Sequence, residues 1–157
     1  MPTTPCPLPQ ITLNTPLVGL PVAMAALKRN ASQIMSLVDE GKIRWAFNLA
    51  AELSSRCELR VLSACLAECQ SGQRLNWPAD EFAFVLKLIF PMAGHATMLR
   101  ATTVANQLGI SIWHFTNLCD SGCVKLAANA LRRCGPGGSP LVEFASVAEF
   151  LRARRIV

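Results

Sequence analysis

The side chains best able to bind a metal or attack a carbonyl are seven cysteines, Cys6, Cys57, Cys65, Cys69, Cys119, Cys123 and Cys134, and two histidines, His95 and His114. Cys65/Cys69 and Cys119/Cys123 have i,i+4 spacing, with which each pair could share a helix face. No Cys-x-x-Cys pair accompanies them, and the two histidines stand apart, so a structural zinc site is not expected. The thiols read instead as small buried hydrophobes of a reducing compartment. Catalysis finds no constellation: there are no paired carboxylates at a strand end, no Gly-x-Ser-x-Gly and no phosphate-cradling loop. Gly135-Pro-Gly-Gly138 is glycine-rich but lacks the Lys-Ser/Thr and the following helix of a phosphate loop. No enzyme and no cofactor are expected.

A different chemistry is carried by Thr103–Gly122. A helical run ends at Gly109, Ile110 follows, and Ser111 caps a second helix reaching Asp120-Ser-Gly122. A helix, a glycine turn and a second helix at this spacing form a helix-turn-helix. Ile110 and Leu118 are expected to hold the helix pair together, leaving Ser111, Trp113, His114, Thr116 and Asn117 on the more exposed faces. An imidazole or a carboxamide there can hydrogen-bond base edges, an amide pairing best with adenine. Each has a plainer alternative. Trp113 could be half-buried beside a neighbouring hairpin, and Asn117 and Gln33 could simply be solvated.

The elements that would position these groups follow from periodicity. Val22 to Val38 is an amphipathic run that Lys28-Arg29-Asn30 splits into two short helices, with Asn30 or Ser32 capping the second and Gly41 ending it. Ile43–Phe47 and Glu58–Val61 read as short strands, and helical spacing resumes from Leu62 to Cys69. Pro78, Asp80 and Glu81 open a helix whose apolar face is Phe82, Val85, Leu86 and Ile89. After the Thr103–Asp120 pair, Val124–Ala127 and Leu141–Phe144 read as strands around the loop from Arg132 to Pro140. Ser146-Val-Ala-Glu149 has the pattern of a capping box opening the last helix, which carries Phe150 and Leu151 and ends in Arg152, Arg154 and Arg155.

The order of elements repeats. A shift of 81 residues aligns 20–46 with 101–127 and pairs Leu27/Leu108, Leu37/Leu118, Asp39/Asp120, Gly41/Gly122 and Ala46/Ala127, with Ile43/Val124 and Arg44/Lys125 similar. The identities fall at core, cap and strand positions, which favours a duplication. The alternative is that short helix pairs with glycine caps resemble one another because they share helix physics.

Residues 101–157 resemble the winged helix-turn-helix of MerR-like and excisionase-like DNA-binding proteins. The matching positions are Val104, Ala105, Leu108, Gly109, Ile110, Ser111, Asp120, Gly122, Phe150 and Leu151. The resemblance implies that the second helix enters the major groove and that a hairpin wing touches the backbone or minor groove. Residues 20–72 look like a degenerate copy, in which Lys28-Arg29-Asn30 stands where the pattern has Gly-Ile-Ser. The long dimerisation helix and effector-binding part of a full MerR regulator have no counterpart. The expected organisation is an extended Pro-rich arm over 1–19, the degenerate unit over 20–72, a connecting helix within 73–95 and the second unit over 96–157. The fold class is then mainly α with short β-hairpin wings, in tandem winged helix-turn-helix units. Candidate DNA contacts are Ser111, Trp113, His114, Thr116, Asn117, Lys125 and the wing residues Arg132 and Arg133, with Gln33, Ser36 and Arg44 in the first unit.

Composition agrees with such a protein. At 157 residues, 52% hydrophobic and 16% charged, the chain is globular and spans one ordinary domain or two very small ones. Fifteen Lys+Arg against ten Asp+Glu give +5, spread over both halves, which leans towards a polyanionic partner. Apolar runs such as Phe82–Leu86 fall far short of the ~18 residues of a membrane span. No basic residue precedes Lys28, and Pro2, Pro5, Pro7, Pro9, Pro16 and Pro21 interrupt any apolar core, so no secretory signal is expected. The expectation is a cytoplasmic, nucleoid-associated protein that binds double-stranded DNA as a small transcriptional regulator or excisionase-like architectural factor. Self-association into a homodimer is a further expectation. The rival is a non-enzymatic, protein-binding adaptor or phage-type inhibitor that keeps the winged-helix fold.

Overall fold

A computed structural model describes residues 15–51, 56–126 and 140–156. The fold is mixed α/β: among the described residues, seven helices accompany two small antiparallel sheets. β1 (Leu17–Gly19) runs directly into α1 (Leu20–Leu27), with Pro21 in the first turn, where a missing N–H costs nothing. α2 (Ala31–Asp39) starts at Asn30, whose side chain accepts the Gln33 N–H at 2.8 Å while Gln33 Oε1 accepts the Asn30 N–H at 3.0 Å, a reciprocal cap. β2 (Ala46–Asn48) and β3 (Leu59–Leu62) follow, and β3 passes without a loop into α3 (Ser63–Ser71). α4 (Glu81–Ile89) is capped by Asp80, which accepts the Ala83 N–H at 3.1 Å.

The second half comprises β4 (Met98–Arg100), α5 (Ala101–Leu108), α6 (Ile112–Asp120), β5 (Leu141–Glu143) and α7 (Phe144–Arg154). One sheet has the order β1-β3-β2 and the other pairs β4 with β5, all antiparallel. The two halves correspond at a shift of 81 residues. β1 maps onto β4, α1 onto α5, α2 onto α6, and the start of α3 onto that of α7. The register corresponds too: Val18 pairs with Val61 and Leu99 with Val142. The Ser63 N–H bonds the Pro16 carbonyl at 2.8 Å, as the Phe144 N–H bonds that of Thr97 at 2.9 Å. Among the described residues, Leu126 bridges Val142, one residue out of step with the Ala46–Val61 pair of β2.

Several boundaries differ from expectation. β1 and β4 are not marked by periodicity, and Leu17 and Val18, placed in the Pro-rich arm, are buried strand residues. Residues 1–14 of that arm lie outside the described residues. β2 starts later than expected, because Ile43 N–H is taken by the Leu37 carbonyl at the end of α2, and β3 starts one residue later than expected, at Leu59. Ser146 does not open the last helix, since β5 leads straight into α7 at Phe144. Its hydroxyl instead accepts the Lys125 N–H at 2.8 Å. Of the thiols, Cys65 is buried and Cys69, Cys119 and Cys123 are half-buried. Cys57 is exposed, so it is not a core residue.

One continuous apolar cluster runs through both halves, from Leu17, Ile34 and Val61 through Val85 and Ile89 to Phe115, Val142 and Leu151. α4 contributes Val85 and Ile89 to it. Phe82 meets Trp45 at 5.9 Å between ring centroids, and Phe90, just past the end of α4, meets Phe144 edge-on at 5.6 Å. Burial of this one cluster ties the halves together, since its apolar area leaves water only when both are folded.

Candidate nucleic-acid interface

α5 buries Val104, Ala105 and Leu108, and α6 buries Phe115 and Leu118 against them. Phe115, which the expected pair of Ile110 and Leu118 left out, is fully buried, while Ile110 is only partly buried. Gly109, at φ +68°, turns the chain between the helices, and Ser111 Oγ accepts the His114 N–H at 3.0 Å to cap α6. Ser111 is thus engaged as a cap.

The other candidate residues of α6 divide into two groups. Trp113 is 73% exposed, and Thr116 is exposed with its hydroxyl donating to the Ile112 carbonyl at 2.8 Å. Asn117 is half-buried. His114 faces inward to the first half, its Nε2 lying 2.6 Å from the Leu49 carbonyl oxygen, to which an Nε2–H donates. Lys125 is exposed beyond α6. Arg132 and Arg133 lie outside the described residues.

The first-half candidates are also partly engaged. Gln33 is exposed, but its carbonyl oxygen closes the α2 cap. Ser36 Oγ, also exposed, donates to the Ser32 carbonyl at 3.0 Å. Arg44 forms an ion pair with Glu81 and lies 5.3 Å over the Trp77 ring, so its charge is balanced within the fold. Trp45 and Phe47 are buried and belong to the core.

A set of arginines performs work that no local pattern announces. Arg60 donates from Nε and Nη2 to the Gly109 carbonyl at 3.1 and 3.0 Å, tying β3 to the α5–α6 turn. Arg154 Nη1 donates to the Ala50 carbonyl at 2.8 Å. The Arg155 guanidinium sits 3.5 Å over the Trp45 ring, donates to the Arg44 carbonyl, and has its pKa lowered chiefly by desolvation. Ile156 N–H then bonds the Ala46 carbonyl at 2.9 Å. With His114, these contacts form a joint between the halves. The only sequence signal for it is a run of arginines closing a helix, which looks the same when solvated.

Two of the thiols, Cys65 and Cys119, are unsuited to nucleophilic work. Burial pushes Cys65 up to about 11, and desolvation also pushes Cys119 up to about 11, with the Asp120 carboxylate adding to it. A thiol held protonated neither attacks nor ligates well. Among the described residues, no three His, Cys, Asp or Glu side chains cluster in a way that could hold a metal. No helix there is long and apolar enough to cross a membrane. Compared with protein families, characterised proteins and solved structures, the chain matches none.

Proposed function

We propose that this chain binds double-stranded DNA through tandem units of winged helix-turn-helix type, as a small transcriptional regulator or excisionase-like factor on the nucleoid. The observation that carries the reading is the arrangement in the second half: a helix, a tight glycine turn and a capped helix, followed by β5, which pairs with both β4 and Leu126. The recurrence of that succession 81 residues earlier supports it. In this reading Trp113, Thr116 and Asn117 present the reading face of α6, and Lys125, with Arg132 and Arg133, meets phosphate. His114 holds α6 in place through Leu49.

The test is fluorescence anisotropy with the duplex flanking the gene and a scrambled duplex over a range of salt. With about four to six phosphate contacts, log affinity falls with log salt at a slope of roughly −4 to −5. Asn117→Ala weakens the native site more than the scrambled one, since a base contact carries sequence information and a phosphate contact does not. A flat salt response overturns the proposal. A second reading, a protein-binding adaptor, is favoured by the adjacent exposure of Ile112 (45%) and Trp113 (73%), an apolar pair of the kind that anchors protein interfaces. A flat salt response would promote it.

A further inference from the structure

The turns after α1 and α5 occupy equivalent places in the two halves but meet different surroundings. A Cβ on Gly109 would stand 3.0 Å from the Leu17 carbonyl oxygen, and the Gly109 carbonyl is held by Arg60. That turn is closed against the first half, and glycine is what lets the two backbones approach. The equivalent turn is Lys28-Arg29-Asn30, all three exposed. Lys28 has φ +51° and is the one non-glycine residue with positive φ among the described residues. A side chain there is held in a conformation that glycine adopts more easily. Such an outlier invites a functional account.

The tip is held in place and basic. Lys28 and Arg29 both direct their backbone N–H to the Met24 carbonyl, and Gln70 Nε2 anchors the last turn of α1 at the Ala26 carbonyl, 2.7 Å away. The ion pairs among the described residues use Lys42, Arg44 and Arg60, and neither tip residue. Both charges stand just ahead of α2, whose N-terminal end carries partial positive charge. The nearest acidic residues along α2, Asp39 and Glu40, lie at its far end, roughly 12 Å away by helix rise. Glu40 there pairs with Lys42.

We infer that the Lys28–Arg29 turn is a phosphate-binding tip that takes the backbone of duplex DNA, while the equivalent turn at Gly109 serves as an internal joint. The inference rests on the DNA-binding reading above and adds a division of labour between the two halves. The ammonium of Lys28 acts as a point charge on one phosphate, and the guanidinium fork of Arg29 can hold another through two N–H groups. Such contacts position the protein without reading sequence.

The test uses Lys28→Gly combined with Arg29→Gln in the full chain. Glycine preserves the left-handed turn, so the variant is expected to melt no lower than wild type. Affinity for native and scrambled duplexes is expected to fall alike, by about tenfold or more at physiological salt, with the salt slope reduced by about two units, one per lost contact. Arg29→Gln alone lowers the slope by about one unit, while Lys87→Gln, which removes an exposed charge from α4, leaves it unchanged. If wild type binds steeply and the double variant matches it in affinity and slope, the tip is not a contact, and the DNA reading survives. If Lys87→Gln lowers the slope as much as Arg29→Gln, the attraction is diffuse and the tip is again overturned. If wild type binds no duplex even at low salt, the DNA reading itself fails and takes the tip with it.

Discussion

Cys57 and Cys65 show how strongly burial separates residues of one type. Cys57 is exposed, whereas Cys65 is fully enclosed and its pKa is pushed up from 9.0 to about 11. Desolvation is the main cause, since a thiolate loses more than a thiol on leaving water. Brief alkylation of the native protein, read by peptide mass mapping, is expected to label Cys57 and spare Cys65 until denaturant is added. Equal labelling of both in the native state would contradict this placement. A stability consequence follows. The folded pKa lies above the unfolded one, so Cys65 stabilises the fold fully below pH 9 and loses that contribution as pH rises from 9 towards 11. About 2 units correspond to roughly 2–3 kcal/mol. Denaturant unfolding at pH 8 and pH 10.5 should show wild type losing more stability than Cys65→Ala over that interval.

At the scale of elements, the turns that close helices decide how close neighbours can come. Gly41 and Gly109 both have positive φ, +72° and +68°. A Cβ at Gly41 meets nothing within 4 Å, while one at Gly109 meets the Leu17 carbonyl at 3.0 Å. Gly41→Ala is therefore expected to cost about 1–2 kcal/mol, the left-handed penalty alone. Gly109→Ala should cost more than Gly41→Ala, because the atom in the way is backbone of β1 and cannot rotate aside. Thermal melts of the two variants measure the difference, and equal losses would show that the turn is not closed against β1. Local signals located these helices well. Asn30 and Ser111 cap α2 and α6 as their positions imply, since a cap depends on residues three apart in sequence. The strands were less legible. β1 and β4 are three residues long, too short to show a period, and their pairing with β3 and β5 draws on residues far along the chain. Ser146 carries a capping pattern that the direct passage from β5 into α7 overrides.

The whole molecule is held by one apolar cluster and by polar contacts between its halves: Arg60 to Gly109, His114 to Leu49, Arg154 to Ala50 and Arg155 over Trp45. The halves should therefore unfold together. Calorimetry is expected to give one transition, with calorimetric and van't Hoff enthalpies equal. Arg60→Ala removes two hydrogen bonds to the Gly109 carbonyl and His114→Ala one to that of Leu49, and each should cost about 1–3 kcal/mol. Two separate transitions in wild type would show that the joint contributes little to cohesion.

What the sequence determined by itself is local: helix ends, caps, and the recurrence at 81 residues, which rests on Leu, Gly, Asp and Ala pairs at matching positions. These follow from interactions within one or two helical turns, where chain neighbours settle the outcome. The roles of His114, Arg60, Arg154 and Arg155 were decided only in the tertiary structure. A histidine on an amphipathic helix or an arginine at a helix end looks the same whether it faces solvent, DNA or a carbonyl of a distant strand. The same holds for the turns: Lys28 and Gly109 occupy equivalent places, but Leu17 and Arg60 beside Gly109 make that turn a joint, while the Lys28 turn is exposed. Long-range packing sets which faces are covered, and so which side chains remain free to meet a partner.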